Sequence, residues 1–300
     1  MYKRQVCAAF IHDSSAAASK WVYSHEYGRH ILENFTDGQV RTLSYENVRT
    51  DGEVDQAVED AVRRGPNVIF TTTPKLLLSS VRQAALHPDV KILNCSLNTS
   101  YPSVRTYYPR LYGAKFIKGA IAGTLTRDGC IGYVADYPTY GSIASINAFA
   151  QGARMVNANA RIYLDWAHLR DGGAVGRLQA QGIVYIDYLD RLAASTGTQM
   201  GNRHNLALIQ THWGRLYQSL VRRVMEGSWK QEDQGSSAVN YWWGMSSGVV
   251  DVLTHPGLPD GVLHLAEILK RGIVDGSIDL FHRLIPVSYT HLTLPTILRV

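Results

Sequence analysis

The sequence predicts an α/β chain of two lobes, each a parallel sheet flanked by helices. Short apolar runs alternate with segments of helical period, the pattern of successive βαβ units. The series runs through the first hundred residues and begins again near residue 127. At 300 residues the chain is too long for one ordinary doubly wound core and suits two lobes of roughly 100–200 residues.

Val6–Ile11 is an apolar strand ending at His12-Asp13-Ser14-Ser15, a polar turn able to cap the helical stretch 16–35. Val40–Tyr45 alternates as a strand. Residues 51–64 place Val54, Ala57, Val58, Ala61 and Val62 on one helical face and stop at Gly65-Pro66. The β-branched run 67–73 suits a strand buried on both faces. A helix over 74–86 has Pro in its first turn, and 90–95 is the next strand. The spacing then predicts a helix over 114–125 and the strand Cys130–Ala135. A helix over 142–157, the strand Arg161–Trp166, a helix over 174–181 and a strand over 183–188 follow. Later helices fall at 213–226 and 259–275. The lobes are expected at 6–126 and 127–285, with a return between lobes near the C-terminus.

Composition narrows the class. Hydrophobic content of 45 % and charged content of 18 % describe a folded chain. No apolar run approaches the ~20 residues of a membrane span. The net charge of +5 falls to +2 when Lys3, Arg4 and Arg299 are set aside, so nucleic acid is not an expected partner. MYKRQ at the start and SYTHLTLPT at 288–296 resemble translated sequencing adapter, and 1–5 and 286–300 are expected to be non-native tails. Cys7, Cys95 and Cys130 form no close-spaced metal pair, and their odd number argues against a disulfide framework. Buried free thiols are expected.

In open parallel sheets, ligands bind outside the carboxyl ends of the strands. That rule selects Asp13, Ser14 and Ser15 with Trp21 in the following helix, then Thr71, Thr72 and Thr73, then Asn94. Asp136, Tyr137, Asp165 and Trp166 are the counterparts in the second lobe. Hydroxyls and carboxylates bond sugar hydroxyls, and Trp or Tyr stacks on a flat base. Each residue also has a plainer reading. The threonines suit a strand end capping a helix, and Trp21 suits a core. Trp242 and Trp243 suit packing, and His12-Asp13 suits a turn dipeptide rather than an acid–base pair. Gly119-x-x-x-Gly123 reads as close helix packing. No H-E-x-x-H, G-x-S-x-G or P-loop pattern occurs, so no enzyme activity, metal or cofactor is expected.

WVYSHEYGR (21–29), VIFTTTPK (68–75) and HPDVKILNCS (87–96) resemble the basic membrane protein family. So do VRTYYPRLYGAKFIKGAIAGTLT (104–126), IGYVADYP (131–138), INAFAQGARMVNANA (146–160) and NYWWGMSSGVVDV (240–252). That family contains solute-binding proteins of ABC importers, including purine-nucleoside receptors. The resemblance implies a two-lobed periplasmic-binding-protein-like fold (type I) whose lobes close on a nucleoside-like molecule. It also implies an ABC permease as partner and a lipid-anchored place on the outer face of the plasma membrane. Family contacts map to Asp13, Ser14, Ser15, Trp21, Thr71–Thr73, Asp136, Tyr137, Asp165 and Trp166. Residues 190–205 depart from the pattern, so the acidic loop that holds ribose is not carried over, leaving Asp187 or Asp190 as substitutes. IHDSS, TTTPK and NYWWGMSSG are similar to a clostridial-type branch in which another region precedes this domain. A cytosolic ligand-sensing regulatory domain is therefore the alternative, and an enzyme acting on a nucleoside or sugar stands third.

Overall fold

The computed structural model describes residues 6–34, 36, 38–97, 101–135, 140–167, 173–188, 191–195, 203–228 and 239–281. Both expected tails lie outside them, as do Asp136, Tyr137 and Asp190. The chain divides into two compact units: Met1–Pro109 with Thr211–Trp243, and Arg110–Gln210 with Gly244–Val300.

Elements are numbered along the chain. The first unit contains β1 (Val6–Ile11), α1 (Lys20–Asn34), β2 (Val40–Tyr45), α2 (Asp51–Arg63) and β3 (Val68–Thr71). It continues with α3 (Leu77–Leu86), β4 (Lys91–Cys95) and β5 (Arg105–Pro109), and is completed by α7 (Trp213–Met225) and β11 (Asn240–Trp243). Its strands order β11-β5-β4-β3-β1-β2, with every registered pair parallel. β1 and β3 are buried along their whole length, which is why they read as unbroken apolar runs.

One face of this sheet packs Ile69, Ile92 and Ile11 against Val54, Ala57, Val58 and Ala61 of α2. A capping box between Thr50 and Glu53 fixes where α2 starts, a cap whose loss costs about 1 kcal/mol. Phe10, Phe70 and Tyr107 meet α7, with Phe70 4.9 Å and Phe10 4.8 Å from the Tyr217 ring. α7 buries Trp213, Leu216, Tyr217, Leu220 and Val221, an i, i+3, i+4, i+7, i+8 stripe. It crosses α1 closely: a Cβ on Gly28 would lie 2.5 Å from that of Trp213.

The second unit contains α4 (Tyr112–Leu125), β6 (Cys130–Ala135), α5 (Tyr140–Val156), β7 (Arg161–Trp166), α6 (Ala174–Ala180) and β8 (Tyr185–Tyr188). β9 (Arg191–Ser195), β10 (Arg203–Thr211), β12 (Val250–Thr254) and α8 (Asp260–Asp275) follow. The strand order is β12-β10-β9-β8-β6-β7. β6 runs parallel to β7 and β8, whereas β8–β9 and β9–β10 are antiparallel.

The units divide the chain differently from the expected 6–126 and 127–285: α4 packs on α5, and the boundary falls at Pro109/Arg110. The return between lobes expected near the C-terminus corresponds to α7 and β11, which belong to the first unit. The second sheet also carries the antiparallel strands β9 and β10, which are not among the strands expected from the sequence. Cys7 and Cys95 are buried free thiols, whereas Cys130 is only half-buried.

Candidate functional site

In the first sheet β1 is flanked by β2 on one side and β3 on the other, so the strand order reverses between β1 and β3. Loops leaving the carboxyl ends of two such strands diverge and open a crevice. The residues at that point are His12 to Ser15 after β1, and Thr72 and Thr73 after β3.

Asp13, Ser14 and Ser15 are partly exposed. The Asp13 carboxylate lies 3.3 Å from Lys75 Nζ. The segment after β2 holds this loop: Asn47 N donates to Ser14 O at 3.3 Å, and Ala16 N donates to Glu46 Oε1 at 2.9 Å. Asn47 makes that approach with φ of 60°, a left-handed conformation Asn tolerates.

The three threonines have different places. Thr71 is fully buried, and its hydroxyl sits 2.9 Å from Ser80 Oγ and accepts from Asn94 Nδ2 at 2.8 Å. Asn94 also donates to Thr73 O at 2.9 Å, tying β4 to the β3 loop from within. Thr72 is fully buried, with its hydroxyl 2.8 Å from His12 Nδ1. Thr73 is 7 % exposed and its side chain caps the short 3-10 turn Pro74–Leu76.

Trp21 is half-buried, and its indole N–H donates to Thr72 O at 2.7 Å. Trp213 meets it edge-on with ring centroids 5.4 Å apart, and His25 does so at 4.8 Å. Tyr108 lies 6.4 Å away, tilted by 31°. Tyr108 is also half-buried and was missed because the strand β5 was not foreseen. The aromatic run RTYYP before a helix was its available signal.

Beneath the crevice, His12 Nε2 lies 2.9 Å from Glu26 Oε1, and Glu26 receives three bonds from Arg29, two from Nε and one from Nη2, at 2.8–3.0 Å. Burial pushes the Glu26 carboxyl up, but the bonds from His12 and Arg29 outweigh it and hold the group well below the usual carboxylate range. Burial keeps the neighbouring His25 neutral, its pKa pushed down further by His12.

In the second sheet the strand order reverses between β6 and β8. Parallel register pairs Val134 with Asp165 and Ala135 with Trp166, bringing both to the carboxyl end of β6. Asp165 is gripped by Arg177, whose Nε and Nη2 donate at 2.7 and 3.2 Å. Asp187 is not a substitute for a ribose-binding carboxylate. It has no exposed surface and pairs with Lys115 Nζ at 2.7 Å and Lys118 Nζ at 2.5 Å. Burial pushes its carboxyl up, but the two ammonium groups together hold it below its ordinary value. No group of His, Cys, Asp and Glu among the described residues is arranged to hold a metal, and no helix among them is long and apolar enough to cross a membrane.

Two helix-flanked sheets, each with a strand-order reversal, define an α/β protein of the periplasmic-binding type. The fold recurs in an ABC transporter solute-binding protein from Conexibacter woesei (TM-score 0.65, 13 % identity, 92 % of this chain and 98 % of that one). It recurs also in a transcriptional activator of the comK gene from Bacillus halodurans (TM-score 0.67, 16 % identity, 91 % and 99 %). At these identities the likeness is one of fold. The chain belongs to the family described as PnrA-like ABC transporter substrate-binding proteins, whose model matches residues 5–195. Among its relatives is a purine-binding protein of Brucella abortus, 26 % identical over 282 residues, covering 87 % of this chain and 79 % of the relative. A putative ABC transporter glucose-binding protein of Haloferax volcanii is 24 % identical over 265 residues, 81 % of this chain and 66 % of that one.

Proposed function

We propose that this chain binds a nucleoside-like small molecule and delivers it to an ABC permease on the outer face of the plasma membrane. The observation that carries the reading is Trp21, pinned by its N–H to Thr72 O at the β1/β3 reversal, where the loop holding Asp13 also leaves β1. Trp21 is only half-buried, and the exposed part of its ring is where a base would stack, a contact worth ~1–3 kcal/mol. Asp13, Ser14, Ser15 and Thr73 supply acceptors and hydroxyls for the ligand's polar groups. Thr71, Thr72 and Asn94 support that surface from below. Asp136, Tyr137, Asp165 and Trp166 are the contribution of the second unit, and closure of the lobes on the ligand belongs to the same reading. The purine-binding relative supports a base as the recognised group.

Intrinsic tryptophan fluorescence tests it. Micromolar inosine, guanosine or adenosine is expected to quench emission, and Trp21→Phe to abolish most of the quench while weakening binding about tenfold or more. Folded protein that answers to glucose, or to nothing, but to no nucleoside would overturn the assignment.

A further inference from the structure

We infer that His12 is a positioning residue for ligand binding: through Thr72 it fixes the orientation of Trp21. The inference rests on the nucleoside reading for its affinity effect, though not for its geometry.

Thr72 is held at three points. Its N–H donates to Ile11 O at 3.0 Å, its hydroxyl meets His12 Nδ1 at 2.8 Å, and its carbonyl accepts the Trp21 indole N–H at 2.7 Å. The hydroxyl has a second acceptor in reach, Ile11 O at 3.3 Å, so its direction depends on what His12 offers. Glu26 decides that. As an ionised carboxylate it only accepts, so Nε2 of His12 carries the proton shared at 2.9 Å. With Nε2 engaged by Glu26, the other nitrogen, Nδ1, is the one that meets the Thr72 hydroxyl. Glu26 is in turn fixed by Arg29 and by Ser44 Oγ at 2.9 Å, and Arg29 Nη1 donates to Thr42 Oγ1 at 2.6 Å.

The relay thus runs from β2 through α1 to the ends of β1 and β3, and every link but the exposed Ser44 is buried or half-buried. A histidine with no exposed surface, bonded through both ring nitrogens, is an organised element and more than a turn dipeptide. It touches no ligand-facing surface itself. Its effect reaches the ligand because the residue it clamps also supplies the acceptor for Trp21.

The test isolates Trp21 emission as the difference between each protein and its Trp21→Phe partner, since the chain has six tryptophans. His12→Gln is expected to shift Trp21 emission in the absence of ligand and to weaken nucleoside binding about tenfold, the worth of one well-placed bond. Thr72→Val, which removes the hydroxyl and keeps the carbonyl, should give the same shift. The double variant should add little to either, because both act through one contact. Unchanged Trp21 emission in folded His12→Gln, or fully additive effects in the double variant, would overturn the inference. If His12→Gln does not fold, Thr72→Val alone and with Glu26→Gln carries the same measurement. A shift in a protein that binds no nucleoside upholds the coupling and overturns only the ligand assignment.

Discussion

Two buried charge clusters lie close to the strand ends, one in each unit. Asp187 faces two ammonium groups where all three side chains are buried, so removing its charge leaves Lys115 and Lys118 repelling each other. Asp187→Asn is expected to cost about 3–5 kcal/mol, measured by urea denaturation, because an uncompensated buried charge is expensive. Glu26 and Asp187 both have carboxyl pKa values depressed by folding. For such groups the unfolded chain binds protons more readily, so their stabilisation is present above the ordinary values of 4.5 and 3.8 and is lost as pH falls below them. Glu26→Gln should therefore flatten the acid limb of a stability-versus-pH curve below about pH 5. An acid limb as steep as that of the parent protein would contradict this. The same comparison shows why site residues are only partly legible in a sequence. Asp13 and Asp187 are both aspartates near strand ends, and only packing separates the partly exposed one from the sealed one.

Helices α4 and α5 meet through glycine. A Cβ on Gly119 would lie 2.0 Å from Phe149 O, and one on Gly152 would lie 2.0 Å from Phe116 O. Backbone atoms cannot yield at that distance without moving a helix. Gly119→Ala is expected to destabilise by about 1–3 kcal/mol or more, whereas Gly176→Ala in α6, with nothing within 4 Å of the added atom, should be neutral or gain up to about 1 kcal/mol. Paired denaturation curves check both. Helix packing at Gly119-x-x-x-Gly123 is readable in advance because the spacing places both glycines on one helical face. β5, β9, β10, β11 and β12 are not. Arg105–Pro109 carries its aromatic residues side by side, and Asn240–Trp243 is a four-residue edge strand with one buried position. Neither shows the apolar run or the clean alternation that marks a strand.

The chain passes between its units three times, at Pro109/Arg110, Gln210/Thr211 and Trp243/Gly244, so neither unit is one continuous stretch. A fragment of residues 6–126 therefore lacks α7, and with it Tyr217, which covers Phe10 and Phe70, and Trp213, which meets Tyr107. Such a fragment is expected to lose near-ultraviolet circular dichroism and to bind a hydrophobic dye, as a core stripped of one packing layer does. A fragment with native near-ultraviolet signal and no dye binding would show that α7 is dispensable to the first sheet.

Residue order was enough for the strands β1, β3, β4 and β6, for most helices, and for the family, because burial on both faces and helical periodicity are local properties of a chain. It also located Asp13 at a strand end and Trp21 in the helix that follows, since the carboxyl-end rule needs only strand and helix positions. Folding in three dimensions settled the rest. Register and strand order identified the reversal between β1 and β3, and the return of α7 and β11 moved the unit boundary. Desolvation with ion pairing took Asp187 out of the candidate set, and contacts 14 and 60 residues apart turned His12 from a turn residue into a buried clamp. Those outcomes depend on which distant groups share a space without water, and neighbours along the chain do not specify that.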